Sequence, residues 1–235
     1  MKAISSMATR HVLVELAEAA VVAGLPQVEI ESVGGVDAAA RVAAGEAFDL
    51  VFLADGALTK LAAAGFVAAP TVAPLLLSQT AVAVPSGSDA AAERPDGAAF
   101  TDAEALRAAL RAAERIGYST GPSGTALVKM IDAWGMRAEL GDRLVQAKPG
   151  IPVAASLAAG EVDLGFQQLS ELVGQPGVRI LGTLPEDSAI DTVFAGAVAT
   201  ASADPDAAGE VLEFLASEHA AAIKRRHAFG VPALE

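Results

Sequence analysis

Residues 28–53 read VEIESVGGVDAAARVAAGEAFDLVFL and contain a strand, a helix and a second strand. Residues 28–33 alternate apolar and polar side chains, as a strand with one buried face does. After two glycines, residues 36–42 show the apolar spacing of a helix. Residues 48–53 are almost wholly apolar, which is typical of a strand buried on both faces. This order of elements predicts an α/β fold with a mostly parallel sheet.

The same alternation of strands and helices extends along the whole chain. Further strands are predicted at residues 3–4, 80–84, 115–118, 144–145, 162–166, 178–182 and 192–198. Further helices are predicted from Met7 to Ala20, around Leu58 and Leu61, at 104–113, 125–134 and 153–159, and from Asp204 onward. Residues 85–97, rich in Pro, Gly, Ser and acidic residues, are predicted to form a surface loop.

A change of rhythm near residue 79 predicts two lobes. Lobe 1 is expected to comprise 1–80 plus 191–235, and lobe 2, inserted into it, 81–190. The hinge is expected near 79–81 and 189–192. Each lobe is expected to be a doubly wound sheet with flanking helices, with a ligand cleft between the lobes that closes by hinge motion.

The composition excludes several classes of protein. The 235 residues carry 16 basic and 29 acidic side chains, a net charge of 16 − 29 = −13, so nucleic acid is not an expected partner. The one basic cluster, Lys224-Arg225-Arg226, is expected to end a helix, where cations favour the helix dipole. The chain has no Cys, which excludes disulfides, thiol nucleophiles and zinc–thiolate sites. No metal site is expected from the three His residues.

No apolar run reaches the length of about 18 residues that a membrane span requires, so membrane insertion is not expected. The first residues also lack the apolar core and cleavage site of a signal peptide. The expected location is therefore periplasmic if a leader has been removed, and cytoplasmic otherwise.

Several predicted strands end in small residues that open a helix. These junctions are Ser5-Ser6, Gly34-Gly35, the run from Ser119 to Ser123 and Gly124, and Gly150-Ile151. A helix N-terminus presents unpaired backbone N–H groups at the positive end of its dipole, and therefore favours anions. The alternative interpretation is that these residues only cap their helices.

A family resemblance rests on five pieces of sequence. They are Ser5-Ser6-Met7, residues 39–52 (AARVAAGEAFDLVF), Pro122-Ser123-Gly124, Leu164-Gly165-Phe166, and the ending from Val211 to Gly230. In their order and spacing, the chain resembles type II periplasmic binding proteins, specifically the molybdate-binding receptors of ABC transporters. The resemblance implies a solute receptor that holds a small oxyanion by hydroxyls and backbone amides, without a cofactor. An ABC transporter permease is the implied protein partner.

The resemblance also implies roles for particular residues. Ser6 matches a ligand-binding serine of the first lobe, and Gly35 falls where the family has a second serine. Ser123 matches a backbone donor of the second lobe, and Ile151, or its neighbour Gly150, matches another. Gln168 replaces an orienting tyrosine. Their neighbours Ser5, Gly34, Ser119 and Gly124 complete the expected set of ligand-binding residues.

Arg10 has no counterpart in the family and can pair with a carboxylate, which makes an organic acid a possible ligand. Aconitate isomerase belongs to a branch that this chain resembles in fold, so isomerisation of an aconitate-like acid is the alternative function. Its base would be His11, Asp37 or Glu171. For Arg10 the other interpretation is an exposed residue paired with a glutamate of its own helix, and a ligand-sensing module remains a third function.

Overall fold

The computed structural model describes residues 1–89, 97–148 and 150–232. The strands are β1 (Lys2–Ser6), β2 (Glu29–Val33), β3 (Leu50–Ala54), β4 (Ala73–Pro85), β5 (Ile116–Tyr118), β6 (Leu144–Gln146), β7 (Leu164–Gln168), β8 (Val178–Thr183) and β9 (Asp191–Val198). The helices are α1 (Arg10–Val22), α2 (Gly35–Ala43), α3 (Asp55–Ala63), α4 (Ala103–Ala112), α5 (Pro122–Ala133), α6 (Arg137–Leu140), α7 (Val153–Ala158), α8 (Leu169–Leu172), α9 (Pro205–Ala216) and α10 (Ala221–Arg226). The predicted loop at 85–97 lies largely outside the described residues.

The chain divides into two compact units. Unit 1 contains Met1–Ser78 and Val193–Glu235, and unit 2 contains Gln79–Thr192. The chain passes from one unit to the other within β4 and returns within β9. Motion at the expected hinge stays a prediction.

The sheet of unit 1 has a parallel centre. β1 pairs in parallel with β2 and with β3, and β9 adds to β3 in the antiparallel direction. Along β3, Leu50 and Phe52 join a core with residues of α1 and α9, whereas Val51 and Leu53 join a core with residues of α2 and α3. Because alternate side chains of β3 point to opposite faces, helices cover both faces of the sheet.

The sheet of unit 2 follows the same plan. β5 pairs in parallel with β6 and β7, and β4 lies antiparallel to β7 and β8. One face packs on α4 and α5, and the other on α7 and α8. On the second face a Cβ atom at Gly165 would lie 2.7 Å from Leu157, and one at Gly117 would lie 2.9 Å from Val162. Glycines at these positions therefore let α7 and the segment after it approach the sheet.

The predicted α/β class and the order of strands and helices are confirmed. Asp102 caps α4, since its Oδ1 accepts a hydrogen bond from the N–H of Ala105 at 2.8 Å. Several boundaries were wrong, among them the starts of α5 and β4. α5 begins at Pro122 rather than at residue 125, because proline suits the first position of a helix, and β4 begins at Ala73 rather than at residue 80.

The basic cluster near the C-terminus ends α10, as expected, but it is not wholly exposed. Lys224 is fully buried, and among the described residues its ammonium group has no hydrogen-bond partner. Burial lowers the pKa of this lysine, which the nearby Glu218 partly opposes. Its neighbours Arg225 and Arg226 are exposed.

Candidate functional site

In unit 1 the two serines at the end of β1 differ in their hydrogen bonding. Ser5 is buried, and its hydroxyl lies 2.7 Å from that of Ser32, the residue beside it on β2. Ser6 is 6% exposed, and within the described part of the chain its hydroxyl has no partner. The hydrogen-bonding capacity of Ser6 is therefore unused by the residues that the structure describes.

The N-terminus of α2 lies next to Ser6. A Cβ atom at Gly35, the first residue of this helix, would lie 3.7 Å from the Cβ of Ser6. Gly34, the N-cap, has no side chain to accept from the first-turn N–H groups, and both glycines are exposed. The structure thus brings three of the predicted residues together: a hydroxyl and a helix N-terminus made of Gly34 and Gly35.

Asp37 lies in the first turn of the same helix and is exposed. A Cβ atom at Gly34 would lie 3.3 Å from Oδ2 of Asp37. Its carboxylate interacts favourably with the helix dipole, as capping acids do. An anion bound at this turn would be repelled by the same charge, so Asp37 opposes anion binding there unless the ligand supplies a hydrogen to it.

Arg10 and His11 begin α1, and both are exposed. Nη2 of Arg10 lies 3.0 Å from Nε2 of His11, so the arginine contacts its neighbour rather than a glutamate of its own helix. The imidazole nitrogen accepts this hydrogen bond when it is not protonated. Arg10 is therefore not fixed by burial, and its guanidinium can change orientation at little cost in free energy.

In unit 2 the predicted residues at the start of α5 form one cluster. Ser123 and Gly124 are buried in the first turn, and the hydroxyl oxygens of Ser119 and Ser123 lie 3.0 Å apart. A Cβ atom at Gly124 would lie 1.8 Å from the carbonyl oxygen of Ser119, so only glycine fits there. Gly121 caps the helix without a side-chain acceptor, which leaves the first-turn N–H groups available.

The role that the resemblance implies for Ile151 is not supported by its backbone. The N–H of Ile151 donates to the carbonyl oxygen of Lys148 at 2.9 Å, so this donor is already engaged in a turn. The side chain of Ile151 is 49% exposed. The first N–H of α7, that of Val153, donates to Oε1 of Gln167 at 2.8 Å. Gln167 therefore has a structural partner at this helix.

Gln168 ends β7 and is buried, as a site residue on a strand end should be. Directly opposite it on β4 lies Thr80, a residue that the sequence interpretation did not select. Thr80 is 2% exposed. The sequence did indicate that Thr80 shares a strand face with Val82 and Val84, because it precedes them at intervals of two residues.

Glu171 differs from the other two candidate bases. It lies in α8, in unit 2, and is half-buried, whereas His11 and Asp37 lie exposed in unit 1. Burial raises the pKa of Glu171, and a hydrogen bond with Gln167 partly offsets this rise. A carboxyl with a raised pKa holds and releases a proton closer to neutral pH, which is the property required of a general acid or base.

The described residues contain neither a metal-binding cluster nor a membrane-spanning helix. No group of three His, Asp or Glu side chains in residues 1–89, 97–148 and 150–232 is placed to hold a metal ion. None of the described helices has the length and apolar character needed to cross a membrane.

Comparison with known proteins gives a family, a relative and a fold. Residues 2–230 match the model of the bacterial extracellular solute-binding protein family. A Pseudomonas sp protein named aconitate isomerase is 37% identical over 185 residues, which are 77% of this chain and 66% of that protein. The match thus covers slightly less than two thirds of the relative's own length.

Solved structures resemble the whole chain. The periplasmic molybdate-binding protein of Azotobacter vinelandii matches with a TM-score of 0.75 and 18% identity over 99% of this chain and 100% of its own. A tungstate ABC transporter structure from Geobacter sulfurreducens matches with a TM-score of 0.71 and 17% identity over 96% of this chain and 97% of its own. At these identities the likeness establishes the fold, that of a type II periplasmic binding protein.

Proposed function

Because the chain belongs to the family of bacterial extracellular solute-binding proteins, we propose that it captures a small oxyanion or carboxylate for an ABC transporter permease. The observation that carries this proposal is the hydroxyl of Ser6, which is buried without a partner in the described residues and lies beside the N-terminus of α2. An anion oxygen at that place receives hydrogen bonds from the hydroxyl and from first-turn N–H groups.

Unit 2 supplies a second set of donors for the proposed function. The first turn of α5 carries the Ser119 and Ser123 hydroxyls next to its N–H groups, and Gly124 removes the steric obstacle to this arrangement. Ser6, Gly35, Ser123 and Gln168 are the proposed principal ligand-binding residues, with Ser5, Gly34, Ser119 and Gly124 in support. Arg10 is proposed to contact the ligand only if it is a carboxylate.

The net charge of −13 does not argue against an anionic ligand. Charges farther away than about 8–10 Å are largely screened at physiological salt. Hydrogen bonds act at about 3 Å and therefore determine the local affinity. The overall charge slows the encounter of protein and ligand more than it weakens the complex.

Thermal unfolding against molybdate, tungstate, sulfate, phosphate, citrate, cis-aconitate and trans-aconitate tests the proposal. A ligand at 100 times its Kd stabilises the folded state by about 2.7 kcal/mol, which raises Tm by about 5–10 °C in a protein of this size. A shift with molybdate or tungstate supports an oxyanion receptor, and a shift with the tricarboxylates supports an organic-acid receptor. No shift with any of the seven anions contradicts the proposal.

A second candidate function is isomerisation of an aconitate-like acid. Two observations favour it: the raised pKa of Glu171 and the 37% identity to the relative named aconitate isomerase. In this function Glu171 takes a proton from the carbon beside a carboxylate and returns it at the other end of the allylic system.

Proton NMR of the protein with trans-aconitate distinguishes the two functions. A receptor leaves the ligand unchanged, whereas an isomerase produces the cis isomer and, in D₂O, exchanges the transferred hydrogen. Glu171→Gln should abolish turnover and leave binding intact, since glutamine keeps the shape of the side chain but is not a base. Turnover that survives this substitution would exclude Glu171 as the base.

A further inference from the structure

Thr80 in unit 2 carries a hydroxyl without a hydrogen-bond partner among the residues that the structure describes. The residue is 2% exposed, and in the part of the chain that the structure describes its Oγ1 has no hydrogen-bond partner. Buried polar groups in folded proteins nearly always have a partner, and exceptions call for a specific explanation such as a bound ligand. The partner of this hydroxyl is therefore a group that the described residues do not supply, such as a bound anion.

The backbone of Thr80 fixes its relation to Gln168. The two residues are directly opposite in the antiparallel pair of β4 and β7. The N–H of Thr80 donates to Ile190 at 3.0 Å, and its carbonyl oxygen accepts from Leu184 at 3.1 Å, so neither group points towards β7. Such a non-hydrogen-bonded pair brings its Cα atoms to about 4.5 Å and its side chains close together.

The pair lies on the face of the sheet that packs on α5. Val82 and Phe166, two residues along the strands from Thr80 and Gln168, share a core with Leu127 of α5. Side chains two residues apart on a strand point to the same face. The Thr80 and Gln168 side chains therefore lie on the side of the sheet occupied by α5.

The pair also lies at the edge of the sheet where the candidate donors are found. β5 and β7 are parallel, so their carboxyl ends meet at one edge. Ser119 follows the end of β5, and Gln168 ends β7. Thr80 is joined to that edge by its pairing with Gln168.

We propose that Thr80 is a further ligand-binding residue, whose hydroxyl donates a hydrogen bond to an oxygen of the bound anion beside Gln168. The inference rests on the proposed function and adds a residue to it. Valine has nearly the shape of threonine but lacks the hydroxyl, so a threonine that only fills space has no advantage at this position.

Calorimetric titration of three variants, with whichever of the seven anions raises the Tm of the wild type most, tests this inference. Thr80→Val should raise Kd about tenfold, equivalent to about 1.4 kcal/mol, because the ligand loses one donor. Thr80→Ser keeps the hydroxyl and should bind within about threefold of the wild type. Without ligand, Thr80→Val should unfold at the same or a higher temperature, since it removes a buried hydroxyl that has no partner in the described part of the chain.

Thr183→Val is the matched control. Thr183 lies on β8 opposite Ala81, hence on the other face of the same sheet. The Thr183→Val protein should therefore bind the probe with the affinity of the wild type. Unchanged affinity in Thr80→Val overturns the inference while the proposed function stands. The inference is also overturned if Thr80→Val lowers both the ligand-free Tm and the affinity and Thr80→Ser lowers them as well. That pattern indicates a structural role. If no anion shifts the Tm of the wild type, the proposed function itself fails.

Discussion

The hydroxyl oxygens of Ser119 and Ser123 lie 3.0 Å apart, across the first turn of α5. In a contact between two hydroxyls one donates its hydrogen and the other accepts, so one hydrogen stays available for a third group. The contact fixes both oxygens, so the hydroxyl that keeps a free hydrogen is positioned before a ligand arrives. The ligand then loses less free energy to ordering of the side chains.

Ser123→Ala should weaken binding of the anion by about 1–3 kcal/mol, because a charged ligand loses one hydrogen bond and Ser119 loses its partner. The measurement is Kd by calorimetric titration. The control is Ser156→Ala, which removes a contact of 3.0 Å with Glu161 at the surface of the same unit and should leave Kd unchanged. Equal affinities in all three proteins would remove α5 from the site.

Ser5→Ala and Ser6→Ala should separate stability from binding. The Ser5 substitution breaks the 2.7 Å contact with Ser32 and should lower the free energy of unfolding by about 1 kcal/mol. The Ser6 substitution removes a hydroxyl without a partner in the described residues, so ligand-free stability should hold or rise while affinity falls by about 1–2 kcal/mol. Urea unfolding and titration measure the two effects. A loss of stability in Ser6→Ala as large as that in Ser5→Ala contradicts the assignment.

Gly124→Ala should be strongly destabilising, by about 3 kcal/mol, because its Cβ would lie 1.8 Å from the backbone oxygen of Ser119. Gly209→Ala is the matched control, since Gly209 lies within α9 and a Cβ there meets no atom within 4 Å. That substitution should stabilise the protein by about 0.4–1 kcal/mol. Thermal unfolding of both variants gives the comparison, and a neutral Gly124→Ala would contradict the close approach.

Asp49 should make unit 1 sensitive to acid. Its carboxylate accepts hydrogen bonds from Lys2 N at 2.8 Å, Ser202 Oγ at 2.8 Å and Ala203 N at 3.1 Å. Partial burial raises the pKa of Asp49, but these hydrogen bonds outweigh burial and hold the pKa below its ordinary value. The stabilisation is therefore complete above the unfolded pKa of about 3.9 and is lost as the pH falls through the lower folded pKa.

Asp49→Ala should therefore cost about 1–3 kcal/mol at pH 7, and the difference from the wild type should shrink below about pH 4. Urea unfolding at pH 7, 5 and 3 measures it. A difference that stays constant over this range would show that the carboxylate charge is not involved.

The stability of Glu171→Gln relative to the wild type should change with pH in the direction opposite to that of Asp49→Ala. Because burial raises the pKa of Glu171, ionisation of this carboxyl opposes folding as the pH rises above the unfolded value of about 4.3. Glutamine does not ionise, so the variant should gain Tm relative to the wild type at pH 8 and gain less at pH 4. Thermal unfolding at both pH values is the measurement. The same gain at both would indicate better packing in place of a lost charge.

The sequence predicted the fold well because its signals are local. The period-two alternation in residues 28–33 and the helical spacing in 36–42 each depend on neighbours within one turn or strand. The start of α5 was missed because the glycines before and within it suggested a longer loop, although Pro122 suits the first helical turn.

The candidate site could be predicted only in part, because a ligand-binding residue is defined by contacts across strands. Ser6 and Gly35 adjoin because β1 and β2 pair in parallel, which the order of elements did indicate. The pairing of Thr80 with Gln168 depends on the register of two strands far apart in sequence. The Pro149-Gly150 pair does favour a turn, but the resemblance assigned Ile151 a ligand-binding role without regard to the hydrogen bond with Lys148 that closes such a turn.

The insertion of unit 2 into unit 1 sets an order of assembly during synthesis. All residues of unit 2 lie between 79 and 192, so its strand pairings can be complete once residue 192 has left the ribosome. In unit 1, by contrast, Leu50 must wait for Val198, its partner on β9, and the helices α9 and α10 follow later still. The loop between Leu50 and Val198 is long, and closing it is slow. Unit 2 should therefore be protected from proteolysis before unit 1.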